Sequence, residues 1–391
     1  MNCIFLSPQF PPQYYHFSQQ LGRAGANALG IGDTPYEALM PAVRQSLTEY
    51  YRVNRMDDYD ELLRACGYFT HKYGKIDRID SLNEYWLATE ARLRDDFHVY
   101  GPKEREVLAL RRKSVMKEKF REAGIPVAPG RLVTTLDDAR QLIEETGYPV
   151  VAKPDSGVGA LGTYRLENDT DLQNFIAHKP AEDYIIEGFV KGTIHSFDGL
   201  TDTTGKPVFL TSHVFSQGIM ETVHEKRHLF YFSQKEIPAA LQKAGLRCLD
   251  AFNIKERFFH IEFFHTKGDE FVGLEVNMRP PGGFTTDMFN YACNIDIYRI
   301  WAELLVKNET KPAVTRTYHC CYASRRDNIR YLHDHEEIIA RYGEAICQVN
   351  RIPAVLASAL GEVGYIFRVK EQRQMMEIVN FIHRTEHMGD N

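Results

Sequence analysis

One short apolar segment of the chain carries an acid where a buried strand should have none. Residues 258–264 read Phe-Phe-His-Ile-Glu-Phe-Phe, and a run this rich in apolar and aromatic side chains predicts a strand buried on both faces. An unpaired carboxylate in such a place is strongly unfavourable unless it is neutralised. Glu262 therefore needs a partner, and any fold that the chain adopts must supply one.

The partner follows from the turn to the next predicted strand. Residues 268–269, Gly-Asp, are typical of a two-residue hairpin loop, and such a loop pairs Glu262 with Glu275. Directly opposed Cβ atoms lie about 4.5–5.5 Å apart, so the two carboxylates repel unless a cation or a proton lies between them. With Asn277 they form an oxygen ligand set that suits Mg²⁺ or Mn²⁺. Arg279 alternates with Glu275 and Asn277 and shares their face.

The same register places His260 opposite Asn277. The alternative to a metal site is a chance pair of glutamates that face solvent on an edge hairpin. The flanking aromatic residues and the Glu-x-Asn-x-Arg alternation favour the metal interpretation. His260 is interpreted either as a group that supports the metal ligands or as a core histidine with satisfied hydrogen bonds.

Two further segments have a composition that suits a nucleotide. A predicted strand at 150–152 leads to Lys153. Residues 155–162 then read Asp-Ser-Gly-Val-Gly-Ala-Leu-Gly. Small residues let backbone N–H groups approach an anion, and a lysine before the loop can reach a phosphate. Residues 187–192, Glu-Gly-Phe-Val-Lys-Gly, offer an N–H and a C=O to an adenine. Taken alone, neither segment is specific, the first lacks the Walker A pattern, and ordinary turns explain both.

The remaining pattern predicts mixed α/β structure. Near the N-terminus, alternating strand and helix signals predict a small parallel sheet, without a GxGxxG sequence after the first strand. Residues 104–123 predict one long helix, and residues 136–146 predict a second helix opened by Thr135. A mixed pattern returns near the C-terminus. The predicted N-terminal and C-terminal elements are strands at 3–6, 26–31, 76–79 and 365–369, and helices at 17–24, 57–66, 83–97 and 372–383.

Taken together, these segments resemble the ATP-grasp superfamily over residues 100–306. The ordered series that carries the resemblance is Arg112-Lys113, residues 151–154 with the glycine loop, residues 187–192, Ile261-Glu262, and residues 275–279 with Gly282-Gly283. Residues 79–81, followed by Glu84, resemble the end of the family's pre-ATP-grasp domain. The resemblance implies an α/β and α+β chain of three parts. These are a Rossmann-like pre-ATP-grasp domain (1–102), a two-lobed ATP-grasp domain (103–310) and a small α/β C-terminal subdomain (311–391).

The resemblance also implies roles for individual residues. Lys113 and Lys153 would contact the phosphates of ATP, and residues 155–162 would form a mobile lid over them. Arg279 would be the catalytic residue that neutralises the γ-phosphate or an acyl-phosphate. Two Mg²⁺ (or Mn²⁺) ions would be held by Glu262, Glu275 and Asn277. The expected ATP-binding set is Lys113, Lys153, Ser156, Gly157, Gly159, Ala160, Gly162, Glu187, Gly188, Phe189, Val190 and His195. His195 stands where the family often has a ribose-binding acidic or polar residue.

The activity that the resemblance implies is an ATP-dependent, ADP-forming ligation of a carboxylate to an amine, with amino acids or peptides among the candidate substrates. The carboxylate would be activated as an acyl-phosphate, and closure of the loop would exclude water. A carboxylate–thiol ligase, a phosphotransferase, a carboxylase-type enzyme and a non-catalytic ATP-binding module remain alternatives. The expected partners are small-molecule carboxylate and amine substrates, and a homodimer is the default assembly.

Composition excludes other classes of function. The net charge of −6 and the dispersed basic residues argue against a nucleic-acid partner. The chain has no run of eighteen apolar residues, so no membrane span is expected. Seven cysteines without CxxC spacing predict reduced thiols and a cytoplasmic location. Residues 224–228 match HExxH, but that zinc motif needs a helix and the surrounding residues predict strand or loop.

Overall fold

Three β-sheets organise the chain in the computed structural model, which describes residues 1–157, 162–216, 218, 227–308 and 314–386. Two of these sheets have four strands and one has eight. The predicted mixture of α/β and α+β structure is therefore confirmed. No helix within the described ranges is long and apolar enough to cross a membrane.

The N-terminal sheet is parallel, as the alternation of strands and helices predicted. Its order is β3-β2-β1-β4. The strands are β1 (Asn2–Leu6), β2 (Asn27–Gly32), β3 (Glu49–Arg52) and β4 (Arg78–Asp80). The helices are α1 (Tyr15–Arg23), α2 (Pro41–Ser46), α3 (Tyr59–Tyr73) and α4 (Leu87–Asp96). The sequence did not indicate α2 or β3, because both are short and β3 reads Glu-Tyr-Tyr-Arg, without an apolar run.

The single long helix predicted at 104–123 is wrong. Two helices, α5 (Glu104–Arg111) and α6 (Lys113–Glu122), meet at Arg112, whose backbone is extended (φ −100°, ψ 114°) and forms a β-bridge with Ser156. The buried Asp155 carboxylate causes the break, because it accepts hydrogen bonds from Ser114 N–H (2.7 Å) and Arg112 Nε (2.6 Å). The contact with Asp155 therefore outweighs the helical propensity of residues 104–123.

A small antiparallel sheet follows, with the order β5-β8-β6-β7. Its strands are β5 (Gly130–Val133), β6 (Val150–Pro154), β7 (Tyr164–Leu166) and β8 (Tyr184–Gly188). The helices α7 (Leu136–Thr146) and α8 (Asp169–His178) pack on it. The bounds predicted for α7 are confirmed, and the Thr135 side chain caps the helix by accepting from Asp138 N–H.

The largest sheet has the order β13-β12-β9-β10-β11-β14-β16-β15. Its strands are β9 (Gly192–Thr201), β10 (Pro207–Phe215), β11 (Phe230–Ser233), β12 (Phe258–Thr266), β13 (Phe271–Asn277), β14 (His319–Arg325), β15 (Ile346–Arg351) and β16 (Val363–Val369). The helices are α9 (Ala239–Ala251), α10 (Thr285–Cys293), α11 (Ile297–Lys307), α12 (His335–Tyr342), α13 (Ala354–Leu360) and α14 (Gln372–His383).

The C-terminal strands extend this same sheet, since β14 pairs with β11. The predicted boundary near residue 102 falls between α4 and α5, and the one near residue 310 lies outside the described residues. The division into three domains stays a prediction.

The two faces of the large sheet differ in chemistry. On one face, Phe197, Phe259 and Ile261 pack against α6 and α9 in an apolar core. On the other face, which we call the polar face, directly paired residues bring acidic, histidine and serine side chains into neighbouring positions. The polar face comprises Ser196, Asp198, His213, His260, Glu262, Glu275 and Asn277. It positions the candidate site.

Candidate active site

The two glutamates of the predicted hairpin lie opposite each other in the structure. Glu262 pairs with Glu275, and His260 pairs with Asn277. The register predicted from the sequence is therefore confirmed.

The two-residue loop from which that register was predicted is wrong. Thr266 N–H donates to Glu270 O at 3.0 Å, so the three residues 267–269 form the loop. Leu274 compensates for the extra loop residue, because it forms a bulge between the paired residues Gly273 and Glu275. The predicted pairing holds because a three-residue loop and a one-residue bulge cancel.

Glu275 lies in an environment that disfavours its charge. Burial raises its pKa well above the usual range, and the carboxylates of Glu84 and Glu262 raise it further, whereas Lys113 and Arg279 lower it. A cation bound between the facing acids would remove this repulsion, so the donor set fits a divalent metal ion. Within the described ranges, no cluster of three or more His, Cys, Asp or Glu side chains could hold a metal. Further ligands would therefore have to come from Asn277, a substrate or water.

Arg279 connects the end of β13 to the N-terminal part of the chain. Its Nη2 donates to Glu84 Oε2 at 2.9 Å, and its Nη1 donates to Pro280 O at 2.9 Å. The side chains of Arg279 and Glu84 both remain partly accessible to solvent. Sequence reasoning assigned no site role to Glu84, because a lone acid between β4 and α4 carries no local signal of its partner.

Lys153 and Glu187, predicted from separate segments, form a direct ion pair. Lys117 completes the group, with its Nζ 2.6 Å from the other oxygen of Glu187. Burial alone would raise the pKa of Glu187, but the two lysines lower it well below its usual range. Sequence reasoning missed Lys117, although its position one helical turn after Lys113 on α6 was an available signal.

The first end of the glycine loop is anchored to the start of α6. Lys113 N–H donates to Asp155 O at 2.8 Å, and Lys113 Nζ lies 3.5 Å from Gly157 O. Ser156 forms the bridge to Arg112 described above, and Gly162 has a φ of +69°, which favours glycine. The predicted site residues Gly159 and Ala160 lie outside the described residues. The structure thus brings Lys113 to the base of the loop, as the phosphate prediction requires.

His195 lies away from the polar face. It pairs with Phe263, the neighbour of Glu262, so its side chain points to the opposite side of the sheet. Its ring packs edge-on against His265 and Phe271, with centroid distances of 5.1 and 5.6 Å. Burial and His265 lower its pKa to about 4. His195 is therefore a neutral imidazole near the end of the hairpin, separate from the carboxylates.

The predicted adenine segment begins with Glu187 and Gly188, the last two residues of β8. Gly188 pairs with Val150 of β6, and the guanidinium of Arg165 stacks 4.5 Å from the Phe189 ring centroid. Phe189 and Val190 are half-buried just beyond the end of β8, an inner strand of the small sheet. The chain then enters β9 of the large sheet at Gly192, so the segment connects the two sheets.

Asp198 is a buried acid that sequence reasoning missed, and it organises the polar face. It accepts hydrogen bonds from His260 Nδ1 (2.5 Å), His213 Nδ1 (2.7 Å) and Ser196 Oγ (2.5 Å). Burial alone would raise its pKa, but the two histidines hold it well below the usual range. In turn, Asp198 and Glu262 raise the pKa of His260 despite its burial. The available signal was the alternation of Ser196 and Asp198 within an apolar strand.

Residues 224–226 of the HExxH segment lie outside the described residues, so the zinc interpretation is not tested. Of the segment's last two residues, His228 stacks on His383 with ring centroids 3.9 Å apart. Burial, together with the positive charge of Arg227, lowers the pKa of His228.

Comparison with known proteins identifies the central segment. Residues 146–287 match the family model described as an ATP-grasp domain. An L-arginine-specific L-amino acid ligase of Bacillus subtilis is 26% identical over 255 residues, which are 58% of this chain and 59% of that ligase. The match thus spans less than two thirds of the relative's own length.

Solved structures match over nearly the whole chain. The L-amino acid ligase from Bacillus licheniformis has a TM-score of 0.74 at 14% identity, with 97% of this chain and 96% of that chain covered. The biotin carboxylase domain of Hydrogenobacter thermophilus 2-oxoglutarate carboxylase, solved with magnesium ADP and bicarbonate, has a TM-score of 0.67 at 14% identity. That match covers 94% of this chain and 86% of the domain. The predicted fold is confirmed by these matches.

Proposed function

Because the chain is a member of the ATP-grasp superfamily, we propose that it is an ATP-dependent, ADP-forming ligase that joins a carboxylate to an amine. The observation that carries the proposal is the end of the β12–β13 hairpin. There, Glu262 and Glu275 face each other beside Asn277, and Arg279 follows on the same strand end. Oxygen ligands and a guanidinium in one place suit the transfer of a phosphoryl group.

In this proposal Glu262, Glu275 and Asn277 hold two Mg²⁺ (or Mn²⁺) ions. When bound, the ions neutralise charge on the phosphates of ATP. Lys113 at the base of the glycine loop binds a phosphate. Lys153, which forms an ion pair with Glu187, is a second phosphate contact.

The remaining nucleotide contacts come from the glycine loop after β6 and from the segment at the end of β8. Residues 155–162 form the lid, with Ser156, Gly157, Gly159, Ala160 and Gly162 as its contact residues. Glu187, Gly188, Phe189 and Val190 surround the adenine. The ribose contact is assigned to His195, whose buried ring lies on the other side of the sheet from the carboxylates and would have to become accessible to the nucleotide.

The reaction then follows in two steps. A carboxylate oxygen of the first substrate attacks the γ-phosphorus of ATP, which forms an acyl-phosphate and releases ADP. Arg279 neutralises the charge on the transferred group. The amine of the second substrate attacks the acyl carbon, and phosphate leaves. Closure of the lid excludes water that would otherwise hydrolyse the acyl-phosphate.

The names of the relatives suggest the substrate class to test. Two of the proteins to which the chain is similar are named L-amino acid ligases, so amino acids are the first candidates for both substrates. The similarity to a biotin carboxylase domain keeps a carboxylase-type reaction as the second candidate. Both reactions activate a carboxylate with ATP, and they differ in the acid that is activated.

The test is a screen of amino acids, taken in pairs with MgATP, for ADP and phosphate release. A ligase releases both only when an acid and an amine are present together. A phosphotransferase forms ADP without free phosphate, and a carboxylase-type enzyme requires bicarbonate. ATP binding without metal-dependent turnover under all these conditions would leave a non-catalytic ATP-binding module. We also propose that the protein is a cytoplasmic homodimer that acts on small molecules, with neither nucleic acid nor membrane as a partner.

A further inference from the structure

The polar face contains a line of polar side chains in contact with one another that ends at Glu262. His260 lies between two acids, because its Nδ1 is 2.5 Å from Asp198 Oδ1 and its Nε2 is 3.4 Å from Glu262 Oε1. An ionised carboxylate accepts hydrogen bonds and donates none. In any hydrogen bond between His260 and these carboxylate oxygens, the imidazole is therefore the donor.

The imidazole of His260 is fixed by three strands. Asp198 on β9 is completely buried, and its second oxygen accepts from His213 Nδ1 on β10 (2.7 Å) and from Ser196 Oγ (2.5 Å). His260 on β12 pairs directly with Asp198. The ring cannot rotate without breaking the bond to Asp198, so the orientation of its Nε2 toward Glu262 is set by the sheet.

We propose that His260, aligned by Asp198, is a positioning residue that holds Oε1 of Glu262 and leaves Oε2 for a metal ion. The inference rests on the metal–nucleotide site of the proposed function. Groups that orient metal ligands from outside the coordination sphere typically account for about 10–100-fold in metal affinity. His260 would thus determine how Glu262 binds the ion without touching the ion itself.

The experiment measures the affinity for Mn²⁺ in the presence of ADP, from the electron paramagnetic resonance signal of free Mn²⁺. His260→Asn keeps a donor toward Asp198 but is too short to reach Glu262. We expect it to bind Mn²⁺ about tenfold more weakly, with ADP affinity in EDTA unchanged. His260→Gln, whose longer amide can still donate to Glu262, should recover most of the affinity.

His213→Asn is the matched control. His213 is also completely buried and also donates to Asp198, but no contact joins it to Glu262 among the described hydrogen bonds and ion pairs. Under the proposal this variant keeps the Mn²⁺ affinity of the wild type, even if its unfolding temperature falls. If both asparagine variants are less stable and neither binds Mn²⁺ more weakly, the role of His260 is only structural and the proposal is overturned.

A second variant covers the case in which His260→Asn does not fold. Asp198→Asn removes the anionic acceptor that aligns the imidazole, so a folded Asp198→Asn protein must also bind Mn²⁺ more weakly, and unchanged affinity overturns the proposal. Failure of the proposed function would look different. In that case the wild-type protein itself would show no binding of Mn²⁺ together with ADP.

Discussion

At the scale of single residues, Glu275 and Asp287 are both acids in places where charge is disfavoured. Glu275 faces Glu262, and its position is explained if a metal ion binds between them. Asp287, in the first turn of α10, accepts a hydrogen bond from Tyr298 OH (2.7 Å), while its other oxygen is buried without a partner in the described part of the chain. The two acids therefore lead to different predictions, one about turnover and one about stability.

Glu275→Ala and Asn277→Ala should abolish Mg²⁺-dependent turnover while the fold stays intact. Each removes an oxygen ligand that the proposed phosphoryl transfer requires. ADP formation in the substrate screen measures the first effect, and circular dichroism measures the second. Glu270→Ala, an exposed acid on the same hairpin, is the control. Full activity in either site variant would refute the metal assignment.

Asp287→Asn should stabilise the protein at neutral pH. Burial raises the pKa of Asp287 to about 6, above its value of about 3.9 in an unfolded chain. The folded state therefore binds more protons between these values, so the wild type loses stability as the pH rises through this window. We expect the variant to be more stable by about 3 kcal/mol at pH 7.5 and the difference to shrink toward pH 5. Urea unfolding of both proteins at several pH values measures the difference in their free energies of unfolding. A difference that does not change with pH would contradict the assigned pKa.

At the scale of elements, the junction of β6 and α6 shows how one acid sets the shape of a site. Asp155 ends the strand and binds the first residues of α6 from outside the helix. This contact separates α5 from α6 and places Lys113 beside the start of the glycine loop. The proposed lid and the proposed phosphate-binding Lys113 thus share the same anchor.

Asp155→Ala should destabilise the protein by about 2 kcal/mol, because it removes several hydrogen bonds to a helix N-terminus. Urea unfolding measures the loss. Asp183→Ala is the matched control, since Asp183 also binds Arg112 (3.1 Å) but its side chain is 66% exposed. Equal stability of the two variants would show that Asp155 is not the anchor.

At the scale of the whole molecule, buried charges join the N-terminal sheet to the large sheet. Arg257, at the start of β12, lies 3.1 Å from Asp80 and 3.6 Å from the completely buried Glu90. Its Nε also donates to Met278 O (3.2 Å), directly after Asn277 at the end of β13. Arg94 is the second cation of this cluster, 2.5 Å from Glu90. The site is therefore held between two parts of the chain rather than within one.

Arg257→Ala should lower the free energy of unfolding by about 3 kcal/mol, because it leaves buried acids with one cation fewer. Arg55→Ala, which breaks the exposed Arg55–Asp57 pair, should leave stability unchanged. Urea unfolding of both variants and the wild type compares them. If Arg257→Ala is as stable as the wild type, the cluster does not hold the two parts together.

By itself, the sequence determined most of the elements and which side chains share a face, but it missed α2 and β3 and joined α5 to α6. The bounds of α7 and the strand–loop order around Lys153 follow from periodicity and short spacings, because neighbouring residues are constrained by the covalent chain. The opposition of Glu262 and Glu275 also depends on the bulge at Leu274, which the sequence did not indicate. Only the tertiary structure decided the contacts between distant segments. The break at Arg112, the Lys117–Glu187 and Arg279–Glu84 pairs and the Asp198 cluster depend on how packed elements bring remote charges together, and burial makes each such pairing strong enough to override local propensity.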